Sequence, residues 1–278
     1  MEGFFARTRP GATKSAGSTT FELPILYFRD DCFALFFTAD RARVTQQMPS
    51  DRLFPVCATA SRAFVGIAVF NYIDTTIGSY GEVAIVVPAV WNRRPLPILP
   101  ALLEGRYPGF GMVVLHLPVT TAVARDAGRS VWGYPKFVAD MEFEMTPELG
   151  SCELTEGGQQ LMSIRVPRRG ILVRDNRPLV TYSTRGGDLV RTTIRQRSVY
   201  RVGLGFRGVQ FALGSHPVAS ELAALGISSR PVVTRFFLER SAILAEGEVV
   251  ARNVARPLNG FSGAQAAGVH TVRYLTGI

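Results

Sequence analysis

Residues Gly128–Phe137 read GRSVWGYPKF and set a single lysine directly behind a rigid bend. Pro135 fixes its own φ angle and pushes Tyr134 toward extended geometry, so Lys136 leaves the bend in a defined direction. The flanking residues are mostly apolar, which penalises a charged ammonium and favours a neutral, nucleophilic amine. A turn lysine that only reaches out of an apolar patch to solvent has the same local sequence, so the segment alone leaves both interpretations open.

The use of lysine across the whole chain favours a chemical role for Lys136. Of the 31 lysines and arginines, only Lys14 and Lys136 are lysines. Arginine stays protonated in proteins, whereas a buried lysine can lose its proton and attack a carbonyl carbon. Because Lys14 lies in a polar N-terminal segment, Lys136 is the one candidate for a step that arginine could not perform.

Outside this segment the chain consists mainly of short β-like runs separated by Gly, Pro, Asn and Asp. The clearest runs are DCFALFFTA, FVGIAVFNYI, YGEVAIVVPA, GMVVLHLPV, QQLMSIRV, PLVTYST, SVYRVG, GVQFALG and PVVTRFFLERSAIL. The best helical patterns are the short segments ADRARVTQQM, TTAVARDAG and HPVASELAALG. This order predicts a mainly β (α+β) protein, an antiparallel barrel or sheet with a few short helices. Residues 1–20 are expected to form a flexible arm and residues 21–278 a single domain.

Several classes of protein and site are not expected. The apolar run Val83–Trp91 is too short to cross a membrane and contains Pro88, and the N-terminus does not resemble a secretion signal. A cytoplasmic protein without a membrane partner is therefore expected. The three cysteines and three histidines are scattered without the spacing of metal ligands, so no metal site is expected.

The net charge of +9 raises the question of a nucleic-acid partner. Arginines crowd the stretch from Arg165 to Arg207, but few aromatic residues interleave with them as base-stacking platforms would. Their alternation is typical of the solvent face of strands, so no nucleic acid is expected. GLGFRG at 203–208 has the spacing of a dinucleotide loop, yet β-like residues follow it where a helix should begin, so no cofactor is expected.

The segment GRSVWGYPK resembles the active-site signature of the acetoacetate decarboxylase family, in which the imine-forming lysine follows a Tyr/Phe-Pro pair. The upstream LHLPVTTAVARDAG resembles the strand and short helix that lead into this signature. IGSYGE resembles the family's Tyr-x-Glu element and implies an active-site glutamate at Glu82. YFRDDCFALFF resembles the family's N-terminal strand and implies an active-site arginine at Arg29. The resemblance runs from about Arg29 to beyond Asp140.

The resemblance implies a homo-oligomeric lyase with a β-rich fold that acts on a small keto acid through a Schiff base and needs no cofactor. Activation of the lysine by an apolar pocket or a neighbouring cation is known for acetoacetate decarboxylase itself. In this chain Lys136 would form the imine, Glu82 would shuttle protons and Arg29 would orient Glu82. The candidate walls of the substrate pocket are Tyr80, Trp132, Tyr134 and Phe137.

Two departures from the family pattern leave the reaction open. Phe137 stands where family members commonly carry a second lysine, and an apolar residue near Ala68 stands where a second glutamate is expected. Decarboxylation of an acetoacetate-like β-keto acid is the leading hypothesis. An aldolase-dehydratase that uses a pyruvate-like keto acid through the same imine is the first alternative. A non-catalytic barrel that binds an anionic ligand or RNA is the second.

Overall fold

The computed structural model describes residues 2–6, 8–9, 11–17, 19–205, 207–253, 256–263 and 266–275. Strands make up most of these residues and the helices are short. Each β-like run quoted above overlaps a strand, because alternating or continuous apolar residues mark half-buried and fully buried strands. The predicted mainly β class with a few short helices is confirmed.

The strands are labelled in chain order. They are β1 (Thr13–Ala16), β2 (Thr19–Glu22), β3 (Ile25–Asp40), β4 (Leu53–Pro55), β5 (Arg62–Thr75), β6 (Tyr80–Trp91), β7 (Phe110–Val119), β8 (Lys136–Val138), β9 (Asp140–Met145), β10 (Leu149–Glu156), β11 (Gln159–Pro167), β12 (Ile171–Asp175), β13 (Leu179–Arg185), β14 (Asp188–Leu204), β15 (Gln210–Leu213), β16 (Val233–Leu244), β17 (Glu248–Ala251) and β18 (His270–Tyr274).

The helices are α1 (Glu2–Phe5), α2 (Arg41–Gln46), α3 (Leu99–Leu103), α4 (Ala122–Ala127) and α5 (Pro217–Ala224), with a 3₁₀ turn at Glu104–Arg106 and a π-helical turn at Gly128–Trp132. The three helical patterns in the sequence correspond to α2, α4 and α5. Each of these begins behind a side-chain cap, in which Asp40, Thr121 or His216 accepts a backbone N–H of the first turn. Within the described residues, no helix has the length and apolar character needed to cross a membrane.

The larger sheet closes on itself as a ring of strands. Its neighbours follow the order β6, β5, β3, β16, β14, β13 and β7, and β7 pairs again with β6. Neighbours around this ring are antiparallel except for β7 and β13, which are parallel. The short strand β8 extends the sheet from β7 and carries Lys136 at its first position. The ring therefore encloses an interior toward which alternate side chains point.

A second sheet, in the order β15, β11, β10, β9 and β18, packs against one side of the ring. Strand β3 contributes to both cores, because Phe33, Leu35 and Phe37 belong to the cluster shared with the second sheet, whereas Cys32 belongs to the other cluster. In β6, every residue from Tyr80 to Val90 is buried. Burial on both faces explains why these strands read as continuous apolar runs instead of alternating ones.

The described part of the predicted flexible arm is folded onto the domain. Strands β1 and β2 form a hairpin, and Ala16 and Phe21 on it are buried. The other described residues of the two strands are exposed or partly exposed, and Phe21 lies just beyond the predicted arm. Lys14 stays partly exposed, with its Nζ 3.4 Å from Glu246 Oε1.

Candidate active site

Lys136 is held by the turn that precedes it. The π-helical turn Gly128–Trp132 ends at Gly133, whose φ of 66° lies in the left-handed region that favours glycine. The Tyr134 backbone N–H then donates to the Gly128 carbonyl over 3.1 Å, which brings the two ends of the turn together. Arg129 Nε donates to the Lys136 carbonyl over 2.5 Å. These contacts fix the direction in which the lysine side chain enters the ring.

Gly128 lies directly beneath the lysine side chain. A Cβ added at Gly128 would lie 2.5 Å from Lys136 Cδ and 2.6 Å from Cε. No other residue type leaves room for the extended lysine at this place. The glycine at the start of GRSVWGYPK is therefore required by the path of the lysine, in addition to any requirement of the turn.

Gly128→Ala is expected to lower kcat/KM by about a hundredfold, because displacement of a reacting group by about 1 Å costs on that scale. The clashing atoms belong to a flexible side chain, so the fold is expected to persist and the Tm to change little. The matched control is Gly3→Ala, where an added Cβ would have no atom within 4 Å. Wild-type kcat/KM in Gly128→Ala would contradict this account of the lysine path.

Lys136 and Glu82 form a buried ion pair. Lys136 Nζ donates to Glu82 Oε2 over 2.7 Å, and the two side chains are 6% and 11% exposed. The Tyr72 hydroxyl donates to the other carboxylate oxygen, Oε1, over 3.3 Å. A primary amine and a carboxylate are thus in direct contact inside the protein, within the distance over which a proton can pass between them.

Aromatic hydroxyl groups surround this pair. Tyr27 and Tyr80 share a hydrogen bond of 3.0 Å between their hydroxyls, and the Tyr80 ring centroid lies 5.7 Å from Lys136 Nζ. The Tyr72 ring contacts both of them, at centroid distances of 4.5 and 4.7 Å. The Tyr134 hydroxyl forms a 2.7 Å hydrogen bond with Thr181 Oγ1. Burial, followed by smaller effects of neighbouring groups, raises the pKa of all four tyrosines, and that of Tyr134 to about 12.

These four tyrosines are expected to stay protonated in the folded protein well above pH 10. A phenol whose pKa is raised on folding stabilises the fold fully below its unfolded value of about 10, and this stabilisation is lost as the pH rises through the folded value. Tyrosinate absorbance should therefore lag behind that of the unfolded chain between about pH 10 and 12 and then rise together with loss of structure. Titration of all eight tyrosines near pH 10 in the folded protein would contradict the packing described here.

The structure does not bring Arg29 to this site. Arg29 is exposed, at an irregularity in the pairing of β3 with β5 where it faces Asp74, and it is not among the residues that line the cavity. The buried cation nearby is Arg240 on β16, whose NH1 donates to Asp30 Oδ2 over 2.5 Å. The structure therefore places Arg29 outside the group of residues around Lys136, because the irregularity in β3 turns Asp30 inward and Arg29 outward.

The four predicted wall residues are placed differently from one another. Tyr134 lines the cavity, and Tyr80 lies beside Lys136. Trp132 is buried outside the cavity wall, with its indole Nε1–H donating to the Ala245 carbonyl over 2.8 Å. Phe137 points to the opposite side of β8, where it contacts Phe261 at a centroid distance of 5.4 Å. Trp132 and Phe137 therefore support the site from behind and do not face the cavity.

The Lys136–Glu82 pair opens into a cavity of about 150 Å³ inside the ring. Most of its lining is apolar. The lining includes Ala68, the position near which the family pattern has a second glutamate. The polar lining around the lysine consists of Tyr27, Tyr72, Glu82, Tyr134, Lys136, Thr181 and Arg240. Among the described residues, no group of three or more His, Cys, Asp or Glu is placed to hold a metal ion.

The arginine-rich stretch is engaged within the chain at several positions. Arginine side chains bind carboxylates or backbone carbonyls in the pairs Arg165–Glu144, Arg177–Asp175, Arg185–Val131 and Arg191–Glu248. Arg185 NH1 donates to the Val131 carbonyl over 2.5 Å and so fixes the turn before Lys136. Part of this arginine content therefore supports the site instead of forming one continuous basic surface.

A strand ring that encloses a lysine, a glutamate and four tyrosines around an apolar cavity is the framework of an enzyme for small molecules. The chain belongs to the acetoacetate decarboxylase (ADC) family, whose family model matches residues 8–254. A comparison with curated proteins finds no match. The family resemblance carried by GRSVWGYPK is thereby confirmed.

Solved structures with the same fold include decarboxylases and related enzymes. Acetoacetate decarboxylase from Legionella pneumophila is 15% identical with a TM-score of 0.61, over 90% of this chain and 94% of that one. An acetoacetate decarboxylase-like enzyme from Sphingomonas wittichii is 14% identical with a TM-score of 0.56, over 82% and 93%. The enduracididine biosynthesis enzyme MppR in complex with pyruvate is 14% identical with a TM-score of 0.59, over 82% and 90%. At these identities the likeness concerns the fold.

Sequence reasoning missed Tyr27, Tyr72, Asp30 and Arg240. A signal existed for Arg240, which stands inside the apolar strand run FFLERSAIL, where a charged residue needs a buried partner. Tyr72 follows Phe70 at the alternate position of the same strand, so both point to one face. Nothing local to YFRDD distinguishes Tyr27 and Asp30 from the other residues of that strand.

Proposed function

We propose that the protein is a Schiff-base lyase that decarboxylates a β-keto acid through an imine on Lys136. The observation that carries this proposal is the 2.7 Å contact between Lys136 Nζ and Glu82 Oε2 at the end of a largely apolar cavity. Membership of the acetoacetate decarboxylase family supports it, since that family includes enzymes that act on keto acids.

The proposed reaction begins with proton transfer from the Lys136 ammonium to Glu82. The neutral amine attacks the ketone carbon, the Glu82 carboxyl group returns its proton to the departing hydroxyl, and loss of water gives a protonated imine beside the Glu82 carboxylate. The bond between the α-carbon and the carboxylate carbon then breaks, and CO2 leaves. The electron pair of that bond forms a carbon–carbon double bond, while the electron pair of the C=N double bond moves to the nitrogen and gives an enamine. A proton taken up from solvent then passes through Glu82 to the enamine carbon. Addition of water releases the ketone and the free amine, so the net reaction consumes one proton and releases one CO2.

The buried surroundings favour this sequence of steps. The iminium charge develops next to the Glu82 carboxylate, and an interaction between opposite charges is strong where water is excluded. Arg240 is paired with Asp30, so it adds little net charge that would hold the substrate carboxylate in the ground state. A firm ion pair to that carboxylate would slow its loss, because it would stabilise the substrate more than the transition state.

A second candidate function is condensation of a pyruvate-like keto acid with an aldehyde, followed by dehydration. The identity of residue 137 favours this second candidate, because Phe137 stands where members of the family commonly carry a second lysine. MppR, which shares the fold, has been solved with pyruvate and with the condensation product of pyruvate and imidazole 4-carboxaldehyde. The same imine would lose an α-proton to Glu82 and add to the aldehyde as an enamine.

Borohydride reduction in the presence of keto acids, followed by mass mapping, tests the shared imine. We expect a reduced adduct on Lys136 and none on Lys14, which lies partly exposed on the β1–β2 hairpin. Release of CO2 from acetoacetate supports decarboxylation, whereas a conjugated enone from pyruvate plus an aldehyde supports the second candidate. Absence of a Lys136 adduct with every keto acid of a broad panel would overturn both. Salt-sensitive binding of RNA in that case would favour a non-catalytic barrel.

A further inference from the structure

The cavity at Lys136 continues as an apolar passage toward the opposite end of the strand ring. We call it the tail corridor and define it by Ala34, Phe36, Ala68, Ala84 and Val86, which all line it. We infer that the substrate carries an apolar tail, larger than the methyl group of acetoacetate, that lies in the tail corridor. This inference rests on the imine at Lys136 proposed above.

The register of the strands sets the length of the tail corridor. Glu82 faces Phe70 across β6 and β5, and Ala84 and Val86 follow Glu82 on the same face of β6. Residues on one face repeat about every 7 Å along a strand, so Val86 lies about 13 Å from Glu82. A ligand bonded to Lys136 beside Glu82 can therefore extend well beyond a methyl group along the ring.

Small side chains keep the tail corridor open. Ala34 faces Ala68, and Ala68 faces Ala84, so three neighbouring strands place an alanine in the same row. In the next row Gly66 stands between Phe36 and Val86, where an added Cβ would lie about 3.1 Å from Phe36 Cε1 and 3.0 Å from Val86 Cγ2. A larger residue in the alanine row would occupy the space that leads away from the lysine.

The chemistry of the far end favours an uncharged tail. Glu104 binds both Arg235 and Arg177 there, and Arg177 also binds Asp175 at 2.6 Å. The charges of these two carboxylates and two guanidinium groups balance one another. This end therefore has no surplus positive charge to bind a second carboxylate on the ligand. The side chains of Glu104 and Arg177 are 16% and 28% exposed, whereas that of Lys136 is 6% exposed, so this end lies nearer to solvent.

The volume limits the size of the tail. An apolar cavity of about 150 Å³ in another protein accommodates benzene. The cavity here has a volume of about 150 Å³, including the space beside Lys136. A pentyl or phenyl group in place of the methyl group is therefore the expected upper range, which corresponds to hexanoylacetate or benzoylacetate as substrate.

The test compares kcat/KM for acetoacetate, butyrylacetate, hexanoylacetate and benzoylacetate, with CO2 release as the readout. Burial of each additional methylene is worth roughly fourfold. Hexanoylacetate carries four more methylenes than acetoacetate, so we expect its kcat/KM to be about 250-fold higher. Equal kcat/KM values for the four substrates, or the highest value for acetoacetate, would overturn the inference of an apolar tail. If borohydride still traps a Lys136 adduct in that case, the proposed lyase function is not affected.

Variants that fill the tail corridor supply the second readout. Ala68→Leu and Ala84→Leu are each expected to lower the ratio of kcat/KM for hexanoylacetate to that for acetoacetate by about tenfold or more. Ala212→Leu makes the same change at an exposed position on β15 of the second sheet and should leave this ratio unchanged. An unchanged ratio in both corridor variants, with both proteins folded by circular dichroism, would overturn the inference.

Calorimetry with ketones tests binding in the tail corridor separately from imine formation at Lys136. Methyl pentyl ketone and acetone are the decarboxylation products of hexanoylacetate and acetoacetate. Tighter binding of methyl pentyl ketone is expected, and equal binding of the two would overturn the tail corridor whatever happens at Lys136. Tighter binding of methyl pentyl ketone with no borohydride-trapped adduct on Lys136 would support the corridor and overturn the proposed imine.

Discussion

Lys136→Arg is expected to lower kcat by on the order of a millionfold, the scale on which removal of an enzymic nucleophile falls. Arginine retains the positive charge opposite Glu82, so the variant does not leave a buried carboxylate without a partner. Lys136→Ala would do so, at a cost of about 3–5 kcal/mol in stability, and would confuse lost chemistry with lost folding. The measurement is CO2 release, together with borohydride trapping on the purified variant.

The matched control is Lys14→Arg, which makes the same chemical change at a partly exposed ion pair. It should keep wild-type turnover and wild-type trapping. Turnover of Lys136→Arg within about tenfold of the wild type would exclude an obligatory imine, because a guanidinium stays protonated and cannot form one. Loss of trapping in both variants would point instead to damage during preparation.

Glu82→Gln is expected to lower kcat by about a hundred- to ten-thousandfold, the range for loss of a general acid–base group. The amide keeps the size of the side chain and can still accept a hydrogen bond from Tyr72, but it cannot take a proton from the lysine or return one to the enamine. Turnover should therefore be lost, and borohydride-trapped adducts on Lys136 should form more slowly than in the wild type.

Glu142→Gln, at an exposed position on β9, is the matched control for Glu82→Gln and should leave turnover unchanged. Loss of both trapping and turnover in Glu82→Gln, with an unchanged melting temperature, would mean that Glu82 is needed before the imine forms. Wild-type kcat in Glu82→Gln would remove the glutamate from the proposed reaction.

The strands were predictable because their apolar residues follow the two-residue period of a sheet or form continuous runs. The continuous run of β6 is apolar because the strand is buried on both faces. Closure of the strand ring could not be predicted from the pattern of apolar residues. It depends on the pairing of β6 with β7 and of β7 with β13, which are contacts set by the whole topology.

The site was predictable where the chemistry is local and unpredictable where it depends on which way a side chain points. Lys136 and Glu82, 54 positions apart, lie in contact as the two separate motifs suggested. Phe137 follows Lys136 immediately, and consecutive strand residues point to opposite faces, so it could not share the cavity with the lysine. Arg29 was misplaced for a related reason, since an irregularity in β3 reverses the faces near Asp30.

The two lysines of this chain each face a glutamate, in very different surroundings. Lys14 and Glu246 are 38% and 51% exposed, whereas Lys136 and Glu82 are 6% and 11% exposed. Protein grown with isotope-labelled lysine would therefore give two side-chain nitrogen resonances. One comes from a lysine–glutamate pair in the interior and the other from a lysine–glutamate pair at the surface. The partly exposed pair serves as an internal standard in the same tube. Any difference between the two signals, and its change when a keto acid is added, would report the protonation and covalent state of Lys136 without a mutation.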